Sequence, residues 1–106
     1  MAHDVIYKTP ADEILYSVDF TDELPDDTSV SSSSDVTAVD EAGTDSSATV
    51  VGTESQSGMS ARAVLQAGTS GKDYTITFTG RGTSTSRDAS KIVEMRVRSS
   101  NFFGNV

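Results

Sequence analysis

Whatever chemistry this chain could perform rests on one histidine, His3, and three pairs of adjacent acids. A Ser-His-Asp triad needs its imidazole fixed beside a hydroxyl and a carboxylate. His3 lies in a stretch that reads as an extended arm, which cannot hold that geometry. Asp12-Glu13, Asp26-Asp27 and Asp40-Glu41 offer paired carboxylates. Glycoside hydrolysis needs two carboxyls facing one cleft, one with a raised pKa. Adjacent acids in a strand point to opposite faces, and those in turns are solvated, so the pairs read as solubilising turns. Asp19, Asp22, Glu23, Asp26 and Asp27 crowd into one short stretch, and Asp40, Glu41 and Asp45 flank Gly43. Calcium takes about six to eight oxygens, but neither stretch has the D-x-[DN]-x-[DN]-G spacing. Gly68, Gly71, Gly80 and Gly82 lack phosphate-loop spacing and open no helix, so they read as hairpin glycines. The expectation is no catalytic residue, no metal, no cofactor and no enzyme activity.

The composition agrees. The chain has 106 residues, enough for one domain. It carries 8 basic and 16 acidic residues, a net charge of −8. A nucleic-acid or anionic-membrane surface needs a basic patch, so neither is an expected partner. Cysteine is absent, which removes disulfides, thiolate metal sites and thiol nucleophiles together. Leu, Ile, Val and Phe number 22, just above the share at which an acidic chain reads as disordered. The core is therefore small, and help from a partner or from oligomerisation is expected. No segment approaches the ~20 apolar residues of a membrane span. The start, Met1-Ala2-His3-Asp4, lacks a secretory signal. The chain is expected in the cytoplasm or inside a larger particle.

The elements that would position these residues read as strands. Seventeen Ser and thirteen Thr, with Val, favour strands and turns over helices. Ile14, Tyr16, Val18 and Phe20 fall on one face of a period-2 alternation with Leu15, Ser17 and Asp19, as in a strand with one buried face. Val30 to Val39 reads as a polar strand, with Val30 and Val36 on one face. Ala48 to Thr53 reads as a short strand and Glu54 to Gly58 as a loop. Met59, Ala61, Ala63 and Leu65 alternate too, although the same residues also fit a helix. Tyr74, Ile76 and Phe78 alternate with threonines, the strongest strand signal in the chain. Gly80 to Ser90 reads as a hairpin tip, and Val93, Met95 and Val97 mark the last strand. The expected core is Tyr16, Val18, Phe20, Tyr74, Ile76, Phe78, Val93, Met95 and Val97. Six or seven strands with turns every ~8–12 residues predict an all-β antiparallel sandwich. The Ser/Thr-rich stretch from 28 to 60 leaves disorder as the alternative there. The expected layout is an arm over 1–11, a sandwich over 12–99 and a tail over 100–106.

Charge is uneven. Residues 1–54 hold 13 acids and 1 base, and residues 55–106 hold 3 acids and 7 bases. If the first and last strands neighbour each other, Asp12, Glu13 and Asp19 would face Lys91, Arg96 and Arg98, each cross-strand pair contributing ~0.2–1 kcal/mol. The faces are either simply solvated or those of a dipolar module that meets a basic neighbour.

The stretch Ala67-Gly68-Thr69-Ser70-Gly71-Lys72-Asp73-Tyr74 resembles the corner before the penultimate strand of immunoglobulin-like domains. There a Tyr hydroxyl returns to the backbone of the preceding loop. The wider pattern, from Ala11 to Phe20, then Asp27 to Ser33, then Tyr74 and Val93 to Arg98, resembles small Ig-like virion proteins of tailed bacteriophages. Some of these are fibre–tail adaptors and others head decoration or cement proteins. Asp35 stands where that group often has a Trp. The resemblance implies a non-enzymatic structural protein of the virion. It would bind the major capsid protein or neck and tail proteins, and possibly copies of itself. The alternative is an Ig-like accessory module that binds carbohydrate or a cell surface, which needs exposed aromatics on one flat face.

The ends point to partners. Val5, Ile6 and Tyr7 lie near one terminus, and Phe102 and Phe103 near the other. Burying a Phe contributes ~1.5–3 kcal/mol, which suits an arm clasping a neighbour. The other reading is that both tails fold back on their own sandwich.

Overall fold

A computed structural model describes residues 4–31 and 35–99. Seven strands form two sheets: β1 (Asp4–Lys8), β2 (Ile14–Asp19), β3 (Asp35–Asp40), β4 (Val51–Ser57), β5 (Ser60–Leu65), β6 (Asp73–Arg81) and β7 (Asp88–Val97). One helical turn, α1 (Ser47–Val50), precedes β4. The larger sheet runs β1-β7-β6-β3 and the smaller one β2-β5-β4. This is the strand distribution of an immunoglobulin-like sandwich, in which a sheet centred on the last two strands faces a sheet centred on the fifth. All pairs are antiparallel except β1 with β7, which run parallel from Asp4 beside Val93 to Lys8 beside Val97.

Alternation sets the core. Tyr74, Ile76 and Phe78 on β6, and Val93, Met95 and Val97 on β7, all point inward and are buried. Val18 and Phe20 are buried opposite them, and Tyr16 packs half-buried at the margin, its ring 5.8 Å from that of Phe78. Small side chains, Ala38, Ala61 and Ala63, complete the inner faces. They leave room for the aromatic rings, which suits a chain with so few large apolar residues. The Phe20 ring lies so close to the backbone of Gly80 that a Cβ there would come within 2.7 Å of it. The Tyr74 hydroxyl accepts the Thr69 N–H at 2.9 Å, closing the corner before β6.

Three stretches differ from the sequence reading. Within the segment read as an arm, Asp4–Lys8 is a paired strand. A parallel partner has no hairpin to announce it, so sequence spacing carries no sign of it. The strand read over Val30 to Val39 is confined to Asp35–Asp40, while Val30 makes only an isolated bridge with Gly82. The strand read over Ala48 to Thr53 is a helical turn up to Val50. The loop read over Glu54 to Gly58 is mostly β4. Asp45 drives the turn: its carboxylate accepts both the N–H and the hydroxyl of Ser47, whose Oγ also accepts the Ala38 N–H. β4 is polar and largely exposed, and owes its strand geometry to pairing with β5.

The end of the sandwich is held by a buried acid. Asp27 accepts the N–H groups of Ser84 and Thr85 at 2.8 and 3.0 Å and the Thr85 hydroxyl at 2.7 Å. These bonds, that from the Thr85 hydroxyl foremost, hold its carboxyl below the usual range. They fasten the loop after β2 to the β6–β7 hairpin. Phe78 is fully buried between the sheets, so Phe78→Ala is expected to cost about 3–5 kcal/mol in urea unfolding. A loss below about 1 kcal/mol would place the ring outside the core.

Candidate protein-binding face

The side chains of β6 and β7 that do not enter the core form the outer face of the larger sheet. Thr75, Thr77 and Thr79 alternate outward on β6, and Ile92, Glu94 and Arg96 outward on β7. β1 adds Val5 and Tyr7, and β3 adds Thr37 and Val39. Register aligns them in rows. Val5 sits beside Glu94, Glu94 beside Thr75, and Thr75 beside Val39. Strands spaced about 4.8 Å apart put Val5 and Val39 roughly 14 Å from each other across the face. Among the described residues, four of the five exposed large apolar side chains, Val5, Tyr7, Val39 and Ile92, belong to this face. The fifth, Leu15, lies on the opposite sheet beside Val64. Single exposed apolar residues are ordinary, but four on one sheet face with threonines between them make this face the candidate contact surface.

The polar groups of the face are fixed in place. Arg96 donates to the Tyr7 hydroxyl at 3.0 Å and to Glu94 at 3.2 Å, and its guanidinium carbon lies 5.7 Å from the Tyr7 ring centroid. The bond to Tyr7, then that to Glu94, raises the Arg96 pKa above its ordinary value. The Tyr7 ring is thus oriented while 43% of the residue stays exposed, which lowers the entropy lost when a partner covers it.

The sequence-selected interface residues separate. Val5 and Tyr7 are on this face. Ile6 points the other way and packs against the core. Phe102, Phe103 and His3 lie outside the described residues. Sequence reasoning missed Val39 and Ile92, although Ile92 is out of phase with Val93, Met95 and Val97, and so faces away from the core.

It also missed Lys8, whose side chain is only 1% exposed. Its ammonium donates to the carbonyls of Thr9 at 2.7 Å and Ala67 at 2.6 Å, tying β1 to the corner before β6. Burial pushes the Lys8 pKa down, and the nearby Asp12 carboxylate partly offsets this.

Of the expected pairing of Asp12, Glu13 and Asp19 with Lys91, Arg96 and Arg98, Asp19 feels the charge of Lys91, while the ion pairs of the three bases are made with nearer acids. Lys91 pairs with Glu23 at 3.3 Å, Arg96 with Glu94 at 3.2 Å and Arg98 with Asp73 at 2.8 Å. Among the described residues no group of three or more His, Asp or Glu is placed to hold a metal ion. No helix there is long and apolar enough to cross a membrane.

Where β1 begins, the Tyr16 hydroxyl donates to the Asp4 carboxylate, joining the two sheets at their margin. Burial first, then the Asp4 bond and charge, push the Tyr16 pKa up to about 12. A phenol raised above its unfolded value near 10 stabilises the fold fully below that pH, and the contribution is lost as pH rises through about 12. The difference between wild-type and Tyr16→Phe absorbance titrations at about 295 nm should therefore show a phenol ionising near pH 12, and Asp4→Asn should bring it down. Ionisation near the unfolded value would show that the phenol is neither buried nor bonded to Asp4, and no change on Asp4→Asn would show that the hydroxyl and the carboxylate do not meet.

Residues 8–97 match the family model described as podophage GP4 fiber-tail adaptor protein gp77. No curated protein and no solved structure matches the chain.

Proposed function

The chain belongs to the gp77 family of podophage fibre–tail adaptor proteins, and from that premise we propose that it joins tail components through the outer face of its four-stranded sheet. A fibre–tail adaptor is a structural protein of the virion and binds other tail proteins. The proposed mechanism is passive: a rigid sandwich presents a fixed face, and no bond is made or broken. The observation that carries this reading is the placement of Val5, Tyr7, Val39 and Ile92 together on one sheet face. Tyr7, held by Arg96, is the anchor, in keeping with the weight that aromatic and Arg side chains carry at interface centres. Phe102 and Phe103 would add apolar contact from the tail, beyond the sandwich itself. The excess of carboxylates keeps free copies apart before assembly and suits a basic partner surface. A head-decoration role would use the same fold, but the matching family is one of the tail.

The test is attachment to tails purified without this protein. Tyr7→Ala combined with Ile92→Ser should leave the circular dichroism spectrum unchanged and weaken attachment by about tenfold or more, since truncating central interface residues costs upward of 1 kcal/mol each. Undiminished attachment would exclude this face. Deleting residues 101–106 should leave the monomer folded but weaken attachment. If that truncation unfolds the domain instead, the tail packs within its own chain.

A further inference from the structure

The side chains of β5 alternate between the core and the far side of the molecule. Ala61, Ala63 and Leu65 are buried, so Arg62 and Val64 stand on the outer face of the smaller sheet. Register places Leu15 beside Val64, and Ser17 and Ser55 on either side of Arg62. Leu15 is 61% exposed, more than any other large apolar side chain among the described residues. Arg62 is half-buried, and its Nε is closed off from solvent without an acceptor. Among the described residues its guanidinium makes no ion pair and no hydrogen bond. The other bases are all engaged. Lys72, Arg81, Lys91, Arg96 and Arg98 each have a carboxylate within 4 Å, the Lys8 ammonium has two carbonyls, and Arg87 lies in the field of Asp27. Asp19, on the same face beside Ser60, bonds Thr21 instead.

With 16 acids to 8 bases in the chain, an arginine that no acid meets is an exception, and it stands next to the most exposed leucine. A guanidinium offers its Nε–H and a neighbouring Nη–H as a fork, which a carboxylate meets with two parallel bonds. The flanking serines are short and leave that approach clear. Val64 is two residues along the strand from Arg62, about 7 Å away, the same spacing as two same-face side chains of any extended segment. We infer that the outer face of the smaller sheet takes an acidic segment of a second virion protein. Its carboxylate would meet Arg62, and an apolar side chain two residues away would cover Leu15 and Val64. That the partner is a tail component rests on the adaptor reading above; the chemistry of the segment rests on Arg62 and Leu15. The two outer faces lie back to back across a core about 10 Å thick, so two bodies can be held at once. They also differ in kind. On the larger sheet Arg96 is already engaged by Tyr7 and Glu94, whereas here the cation is open to a partner. Surplus carboxylates elsewhere suit a basic neighbour, so each body has its own side and the adaptor cannot be seated backwards. A second copy is disfavoured as the occupant: two chains of net charge −8 repel, and a two-fold contact through this sheet would set Arg62 against Arg62.

The test uses the full chain and two end-blocked peptides, Ser-Asp-Ser-Leu-Ser and Ser-Lys-Ser-Leu-Ser, followed by the Arg62 Nε–H resonance and backbone amide shifts. The acidic peptide should move the Arg62 Nε–H resonance and the amides of Leu15, Ser17 and Val64, and bind about tenfold more tightly than the basic one. Arg62→Gln should remove that preference while the fold, read by circular dichroism, is kept. Equal binding of both peptides, shifts confined to other strands, or no shift up to about 10 mM peptide would overturn the inference. So would a dimer in sedimentation that Arg62→Gln dissociates, because the occupant is then a second copy. Deleting residues 101–106 should leave peptide binding unchanged; a gain of about tenfold or more would assign the face to the chain's own tail and overturn the inference as well. If the peptides fail while the full chain still attaches to tails, this inference alone falls. If the peptides bind as expected while the chain does not attach to tails, the adaptor reading is at fault and the acid-binding face stands.

Discussion

The contact between the Phe20 ring and the bare backbone of Gly80 decides how one end of this molecule is built. The ring fills space that any side chain at position 80 would need, so the chain leaving β2 must pass directly over β6. The backbone then turns at once: the Phe20 N–H bonds the Met59 carbonyl, and the Phe20 carbonyl accepts the N–H groups of Glu23 and Leu24. This brings Asp27 to the β6–β7 hairpin, where it satisfies Ser84 and Thr85. Gly82 is compelled in the same way, since a Cβ there would fall 2.1 Å from the Asp27 carboxylate. Beside these contacts, the Val30–Gly82 bridge and the bonds between Ser29 and Thr83 hold the same hairpin to the loop after β2.

The parts of the fold legible in the sequence are those governed by local alternation. Tyr74, Ile76 and Phe78 declare β6 because every second residue is buried and every other one is a threonine. Val93, Met95 and Val97 declare β7 in the same way. Tyr74 declares the corner because its ring and its hydroxyl have different needs, and a loop backbone meets the second. The illegible parts depend on partners distant in sequence. β4 is polar and becomes a strand only because β5 lies beside it. β1 joins β7 in parallel, some ninety residues away, without a turn to signal it. Lys8 is a lysine, and its residue type argues for exposure. Only the fold reveals that two carbonyls receive its ammonium. The outer face of the larger sheet divides along the same line: residue type alone singled out Val5 and Tyr7, whereas Val39 and Ile92 join them only through cross-strand register.

Electrostatics follow the same principle of near partners. Lys72, Arg81, Lys91, Arg96 and Arg98 each have a carboxylate within 4 Å, so most of the basic charge of the second half is consumed locally. Such exposed pairs contribute only about 0–1 kcal/mol each. Their larger effect is on what remains. With 16 acids to 8 bases, these pairs leave carboxylates in excess, and a basic neighbour is their complement.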